Sequence, residues 1–286
     1  MIRKRESIAF YLTISPWIIG FLLFVLGPML LSLYASFTDW DLLSAPVFNG
    51  GRNYTDLLTD ETFWQSLKVT GLFTLIYVPL DMIGGLALAL LVRPNIRGMR
   101  AFRTIFYLPT VFSGVAFVVV WMWMLNPQSG LVNLVLSWFG VEGPRWLLDP
   151  RSALWALVLM SFWGWGRSMV IFLGGLSGIP NEIYEAAAID GANAWQIFRH
   201  ITAPLARSAL FGGAVMTWAR ALGEFGATII FAGNFPGRTQ TMPLAIYIGL
   251  ELELSVALTL SAILLATSFL VLFVVKRLLH QQLSAI

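Results

Sequence analysis

Four ionisable side chains, Asp81, Arg167, Arg220 and Glu224, stand inside stretches that are otherwise apolar. A charge at the centre of a bilayer costs about 2.5–3.5 kcal/mol on insertion scales, so such groups face a bundle interior or an aqueous path. Their chemistry would be that of a polar lining along a translocation route. Arg220 and Glu224 lie four positions apart, on one helical face, and can neutralise each other. An internal salt bridge without contact to any cargo is the structural alternative. Asp81 and Arg167 can pair across two helices. Two isolated acids with no histidine or further carboxylate beside them make a poor relay for a proton-coupled carrier. Trp121, Trp123, Trp163 and Trp165 are able to stack on sugar rings, or to pack the core and the lipid interface.

Other chemistries lack their residues. The chain has no cysteine, and its histidines are His200 and His280. Thiolate zinc sites, disulfides and histidine-rich metal sites are therefore not expected. The lysines are Lys4, Lys68 and Lys276, and none ends a glycine-rich phosphate-cradling turn. No Gly-x-Ser-x-Gly elbow is present, which argues against an intramembrane hydrolase. The chain is expected to be no enzyme and to bind no cofactor of its own.

The elements that must position these charges are membrane helices. Of 286 residues, 58% are hydrophobic and 12% charged, with a mean hydropathy of +0.77; soluble domains carry about a quarter of their residues charged. A span needs about 20 apolar residues, and six stretches qualify: 10–37, 69–92, 104–125, 152–176, 209–232 and 254–275. Arg3-Lys4-Arg5 precedes an apolar run too long for a signal peptide, so a retained first span is expected. Basic residues mark the cytoplasmic side. Arg93, Arg97, Arg100, Arg103, Arg199, Arg207, Lys276 and Arg277 fall, with the N-terminal run, in one set of compartments; Arg52, Lys68, Arg145, Arg151 and Arg238 fall in the other. Both termini are then cytoplasmic. A tail, first span and outer loop over 1–68 precede a core of five spans over 69–280. Within the outer loop, Asn49-Gly50-Gly51 signals a turn and residues 53–58 a short surface helix.

The cytoplasmic loop 180–205 is the longest part able to fold as an amphipathic unit. Pro180 and Asn181 can open a helix, with Glu182 favoured by the helix dipole. Ile183, Ala186, Ala187 and Asp190 follow at helical spacing, and Gly191 can take the left-handed conformation that ends the helix. Asn193 can cap a second helix bearing Ile197, Phe198 and Ile201, and Pro204 marks a kink before the fifth span. A nucleic-acid reading of this helix-turn-helix fails on charge, because Glu182, Glu185 and Asp190 outnumber Arg199. An amphipathic pair lying on the bilayer surface is the bland alternative.

The loop resembles the signature of binding-protein-dependent ABC importer permeases: Glu-Ala-Ala, three residues, Gly, nine residues, Ile-x-Leu-Pro. Here Glu185-Ala186-Ala187, Gly191, Ile201 and Pro204 stand at that spacing, with Ala203 where the family has Leu. Over about 15–205 the chain is similar to sugar-type permeases, through Arg103-Thr104-Ile105-Phe106-Tyr107-Leu108-Pro109, Trp146-Leu147-Leu148-Asp149-Pro150 and Ala188-Ile189-Asp190-Gly191-Ala192. Over about 214–286 it is similar to molybdate- or sulfate-type permeases, through 219–228 and 233–244. The resemblance implies an all-α membrane protein with the six-helix, MetI-like fold of a type I importer, N and C termini inside, in the cell inner membrane. It implies that Glu185, Ala186, Ala187, Asp190 and Gly191 contact a cytosolic ATPase dimer, which binds ATP and magnesium itself. Further implied partners are a second permease subunit, as heterodimer or homodimer, an extracytoplasmic solute-binding protein and membrane lipid. A carbohydrate is the expected cargo, with an oxyanion as alternative, because Arg220 is expected to be neutralised by Glu224. A secondary transporter is the rival of another class.

Overall fold

In a computed structural model, residues 2–94, 96–112 and 114–283 are described. The side chains of Arg3, Lys4, Arg5 and His280 lie outside the described residues. The chain forms two compact units, Met1–Asp60 with Ala245–Thr267, and Glu61–Leu244 with Ser268–Ile286.

In the first unit an apolar helix runs over Ser7–Ala35. It widens into a π turn at Leu22–Leu26, where the Gly27 N–H reaches back five residues to the Leu22 carbonyl. Pro28 follows directly and has no N–H to donate, so the ladder is reset one residue early. A two-stranded antiparallel hairpin pairs Thr38 with Phe48 and Asp39 with Val47. The expected turn is there: Gly50 and Gly51 have φ of 67° and 92°, and the Asn49 carboxamide oxygen accepts from Gly51 N–H at 3.1 Å. The expected short helix after the turn spans Arg52–Thr59. It is sewn to the end of the first span by Asn53, which donates to the Ser36 and Thr38 carbonyls at 3.0 and 3.1 Å. Asp41 closes a nearby turn by accepting from Ser44 N–H and Oγ and from Leu43 N–H, and these donors, the Ser44 N–H foremost, hold its carboxyl below the usual range.

The second unit is built on one helix, Glu61–Val92. Its 32 residues extend about 48 Å at 1.5 Å each, well beyond the hydrocarbon thickness. Trp165–Ser177 and Arg207–Leu222 lie against it and against each other. Close approach depends on small residues. A Cβ on Gly85 would stand 2.6 Å from the Ser168 Cβ and 3.2 Å from the Met169 backbone nitrogen, and one on Gly84 would enter the Trp165 indole. Without a hydrophobic drive between helices in lipid, such backbone proximity supplies the packing energy. Two apolar clusters flank this seam, one around Phe73, Trp121, Leu157 and Phe231, the other around Ala89, Met169, Phe172 and Leu176.

The expected spans are present with two corrections. Among the described residues, Ser7–Ala35, Glu61–Val92, Arg151–Ser177 and Leu254–Arg277 are each long and apolar enough to cross a membrane. The third stretch is not one helix but a pair, Met99–Val111 and Ala116–Met124, bent by more than 40°. Pro109 sits in the 3-10 turn Leu108–Val111, which ends at extended Phe112. The fifth stretch is also divided: its helix stops at Leu222 and a π turn resumes at Thr228–Ala232. Gly223 and Gly226 bracket Glu224 there, and neither glycine favours helix.

Replacing Gly85 with Val is expected to wedge Glu61–Val92 from Trp165–Ser177, lowering stability by about 1–3 kcal/mol. A detergent-purified G85V protein that melts at the wild-type temperature would show that the helices do not need this approach.

Candidate functional site

Asp81, midway along the long helix, is 1% exposed. Its Oδ2 accepts from the Ser168 hydroxyl and, at 2.8 Å, from the Thr217 hydroxyl. One carboxylate thereby joins all three packed helices. Nothing local announces Ser168 or Thr217, which lie 87 and 136 residues away. Only their polarity within apolar helices could have marked them. The other oxygen, Oδ1, is buried without a hydrogen bond among the described residues.

Beside Asp81 are two adjoining hollows. The larger, of about 620 Å³, is lined by Tyr77, Phe117, Trp163, Arg167, Arg220 and Glu224, among others. The smaller, of about 140 Å³, shares Tyr77, Arg167 and Arg220 and reaches Asp81. The four charges singled out in the sequence are thus brought together. Neither expected pairing forms, however: the ion pair found among the described residues is Arg52–Asp56, Nε to Oδ2 at 3.5 Å. The cause is the break in the fifth stretch. Glu224 lies beyond the end of the helix that carries Arg220, so the four-residue spacing no longer places them on one face, and Glu224 Oε1 instead accepts from the Ala227 N–H at 3.1 Å. Arg167 and Arg220 are exposed. Of the four tryptophans, Trp163 lines the larger hollow, held edge-on to buried Trp121 at 5.9 Å. Trp165 packs over Gly84, and Trp123 is 61% exposed.

The loop 180–205 folds as two short helices, Asn181–Ile189 and Ala194–Ile197. The first closes on Gly191, at φ 77°. Gly191 N–H donates to the Ala188 carbonyl at 3.1 Å and Ala192 N–H to the Ala187 carbonyl at 3.0 Å, the paired bonds of a Schellman motif. Asn193 caps the second helix in a full capping box with Gln196. A π turn at Phe198–Thr202 then precedes Pro204, with Ala203 N–H donating to the Phe198 carbonyl, as happens before Pro28. Glu185, Ala186, Asp190 and Gly191 are exposed, whereas Ala187 is buried against the protein. The Arg93 guanidinium stacks over the Tyr184 ring at 4.0 Å, and its Nη2 donates to Asn181 Oδ1 at 3.5 Å. Arg103 caps the long helix, donating to the Val92 carbonyl at 3.0 and 2.8 Å and to that of Arg93 at 3.1 Å. The loop is therefore tied to the end of the helix that carries Asp81. The sequence contains both arginines but gives no sign of these contacts.

These features, a broken-helix bundle around a charged hollow and a self-closed helical loop, coincide with family membership. The pattern of the binding-protein-dependent transport system inner membrane component matches residues 82–285, and the chain belongs to that family. It is a permease subunit of an ABC importer, spanning the inner membrane several times. It is 39% identical to the probable ABC transporter permease protein YesP of Bacillus subtilis over 74% of this chain and 70% of that one. It is 31% identical to the trehalose/maltose transport system permease protein MalF of Thermococcus litoralis, over 84% and 82%. With the putative molybdenum transport system permease protein YvgM of Bacillus subtilis it shares 33% over 66% and 78%. The fold is that of a bacterial ABC transporter involved in import of the acidic polysaccharide alginate: TM-score 0.80 at 23% identity, over 97% of this chain and 96% of that one.

Replacing Asp81 with Leu is expected to strand the Ser168 and Thr217 hydroxyls, at a cost of about 1–3 kcal/mol. Combining it with Thr217→Val should restore part of that loss in denaturation of the purified protein. Strict additivity of the two substitutions would refute the bridge.

Proposed function

We propose that this chain forms one half of the membrane pathway of an ATP-driven importer for a carbohydrate, with both termini cytoplasmic. A separate cytosolic ATPase dimer, holding ATP and magnesium, would seat against Glu185, Ala186, Asp190 and Gly191; buried Ala187 would support that surface from behind. A second, related permease would complete the pathway, and an extracytoplasmic binding protein would deliver the cargo. Asp81, Arg167, Arg220 and Glu224 would line or brace the route.

The observation that carries this reading is the docking helix itself, closed at Gly191 and fastened through Tyr184 and Arg93 to the long helix. ATP binding can favour one packing of the bundle only if it acts on an element stiff enough to bias two discrete arrangements. A mobile connector would dissipate the push. Relatives named for trehalose and maltose, starch degradation products, and xylose and arabinose favour a carbohydrate cargo. An oxyanion such as molybdate is the second reading, favoured by the relative named for molybdenum and by two exposed arginines in the hollow.

A β-branched residue at Gly191 costs about 1–2 kcal/mol in the left-handed region, which here reshapes the docking surface alone. In proteoliposomes the Gly191→Val importer is expected to keep its basal ATPase rate while cargo uptake falls about tenfold or more, the factor that 1.4 kcal/mol represents. Uptake that stays coupled to ATP hydrolysis at the wild-type ratio would overturn the docking assignment. A permease that purifies without any ATPase and still transports would instead favour a secondary carrier.

A further inference from the structure

One oxygen of a deeply buried carboxylate is left over. Asp81, 1% exposed, accepts from the Ser168 and Thr217 hydroxyls through Oδ2, while Oδ1 has no hydrogen bond among the described residues. Such an oxygen costs free energy until a donor reaches it. The smaller hollow touches Asp81, Ser168 and Thr217 and is lined as well by Arg167 and Arg220. At about 140 Å³ it has room for a planar head group. A guanidinium there would bring several donors and a charge at once, in surroundings where the attraction is stronger than in open water.

Arg220 is better placed for this than Arg167. It stands three residues after Thr217 on one helix, so the two share a face, and Thr217 already holds Asp81. Arg167 directly precedes Ser168 and lies about 100° around its helix from the hydroxyl that Asp81 accepts. Arg220 also belongs to the last turn of Arg207–Leu222. The break bracketed by Gly223 and Gly226 follows at once, and glycine lets such a backbone reorient without unpacking the helix before it. On its other side Arg220 lines the larger hollow together with Glu224. Here it is exposed and, among the described residues, forms an ion pair with neither acid. We propose that Arg220 is a moving latch: in a second packing of the bundle its guanidinium enters the smaller hollow and donates to Asp81 Oδ1, leaving the Glu224 side of the route. Both oxygens of Asp81 are then satisfied, and the two helices are fastened by charge as well as by Thr217. ATP binding then acts on a bundle made bistable by one side chain. This rests on the importer reading above and gives its route a switch.

The chain has no cysteine, so a thiol introduced by Ile230→Cys, on the wall of the larger hollow, reports on that place alone. The complete importer, in nanodiscs with its ATPase, is treated with a small water-soluble thiol reagent, without nucleotide and with ATP trapped by vanadate. Labelling is read on the permease subunit. Asp81→Asn removes the charge but keeps an acceptor for the Ser168 and Thr217 hydroxyls. The nucleotide-dependent change in labelling rate is expected to fall about tenfold in Asp81→Asn and in Arg220→Gln, the worth of one hydrogen bond to a charged group, and no further in the double variant. Arg220→Lys should keep most of the response because the charge remains. Thermal unfolding of the same samples should show a loss of stability in one nucleotide condition only. A response that survives in either single variant, losses that multiply in the double variant, or a loss in Glu224→Gln and Arg220→Gln but not in Asp81→Asn overturns the latch and leaves the importer reading standing. Lowered stability in both conditions identifies a static brace and likewise overturns the latch. An importer carrying Ile230→Cys alone that binds no ATPase and shows no nucleotide response overturns both.

Discussion

A carboxylate placed where water cannot reach must be given hydrogen bonds by whatever packs against it. Asp81 obtains them from Ser168 and Thr217, on the two helices that lie against its own. The Ser168 donor comes within reach because Gly84 and Gly85 let its helix approach the one that carries Asp81. Glycine, carboxylate and hydroxyl thus form a single constraint: enlarge the glycines and the Ser168 hydroxyl withdraws; remove the donors and the buried acid is stranded. The charged hollow opens beside this node and shares its walls. Tyr77, Arg167 and Arg220, one from each of the three helices, line both hollows.

The two hydrogen-bond ladders that widen before Pro28 and Pro204 have a common origin. In each, the residue preceding proline donates to the carbonyl five positions back, because the ring that follows removes the next donor and crowds the carbonyl four residues earlier. The helix is bent without being cut. The breaks at Phe112 and at Gly223–Phe225 differ: there the backbone leaves the helix altogether, and it does so along the hollow, where Phe112, Gly223 and Phe225 all contribute to the lining. Irregular backbone at membrane depth is tolerated where it lines a cavity or is covered by protein.

Much of this was legible in the residues. Apolar runs located the Glu61–Val92, Arg151–Ser177 and Leu254–Arg277 helices, since a span is a matter of length and hydropathy. Gly191 and Asn193 declared the ends of the loop helices through local chemistry that needs no tertiary context. The failures share a cause. Hydropathy does not see a break inside an apolar run, so 104–125 and 209–232 looked continuous. Once Glu224 was assumed to be helical, its pairing with Arg220 followed by spacing, and the pairing fell with the helix. Asp81 stood out because a lone charge in an apolar run is costly, but its partners are contacts between distant segments. Arg93 over Tyr184 was equally hidden.

The Schellman closure at Gly191 carries one more implication. A helix end normally presents carbonyls in want of donors, and a partner that buries such an end must supply them from its own backbone or side chains. Here the Ala187 and Ala188 carbonyls are already satisfied from within, and the exposed tip presents Ile189, at 85% exposure, beside the small Ala188 and Gly191. Under the docking proposed above, a groove receiving it would need the right contour more than a particular set of polar residues. If the docking proposal holds, engines of differing sequence but like shape would fit one such permease, and one engine could serve several.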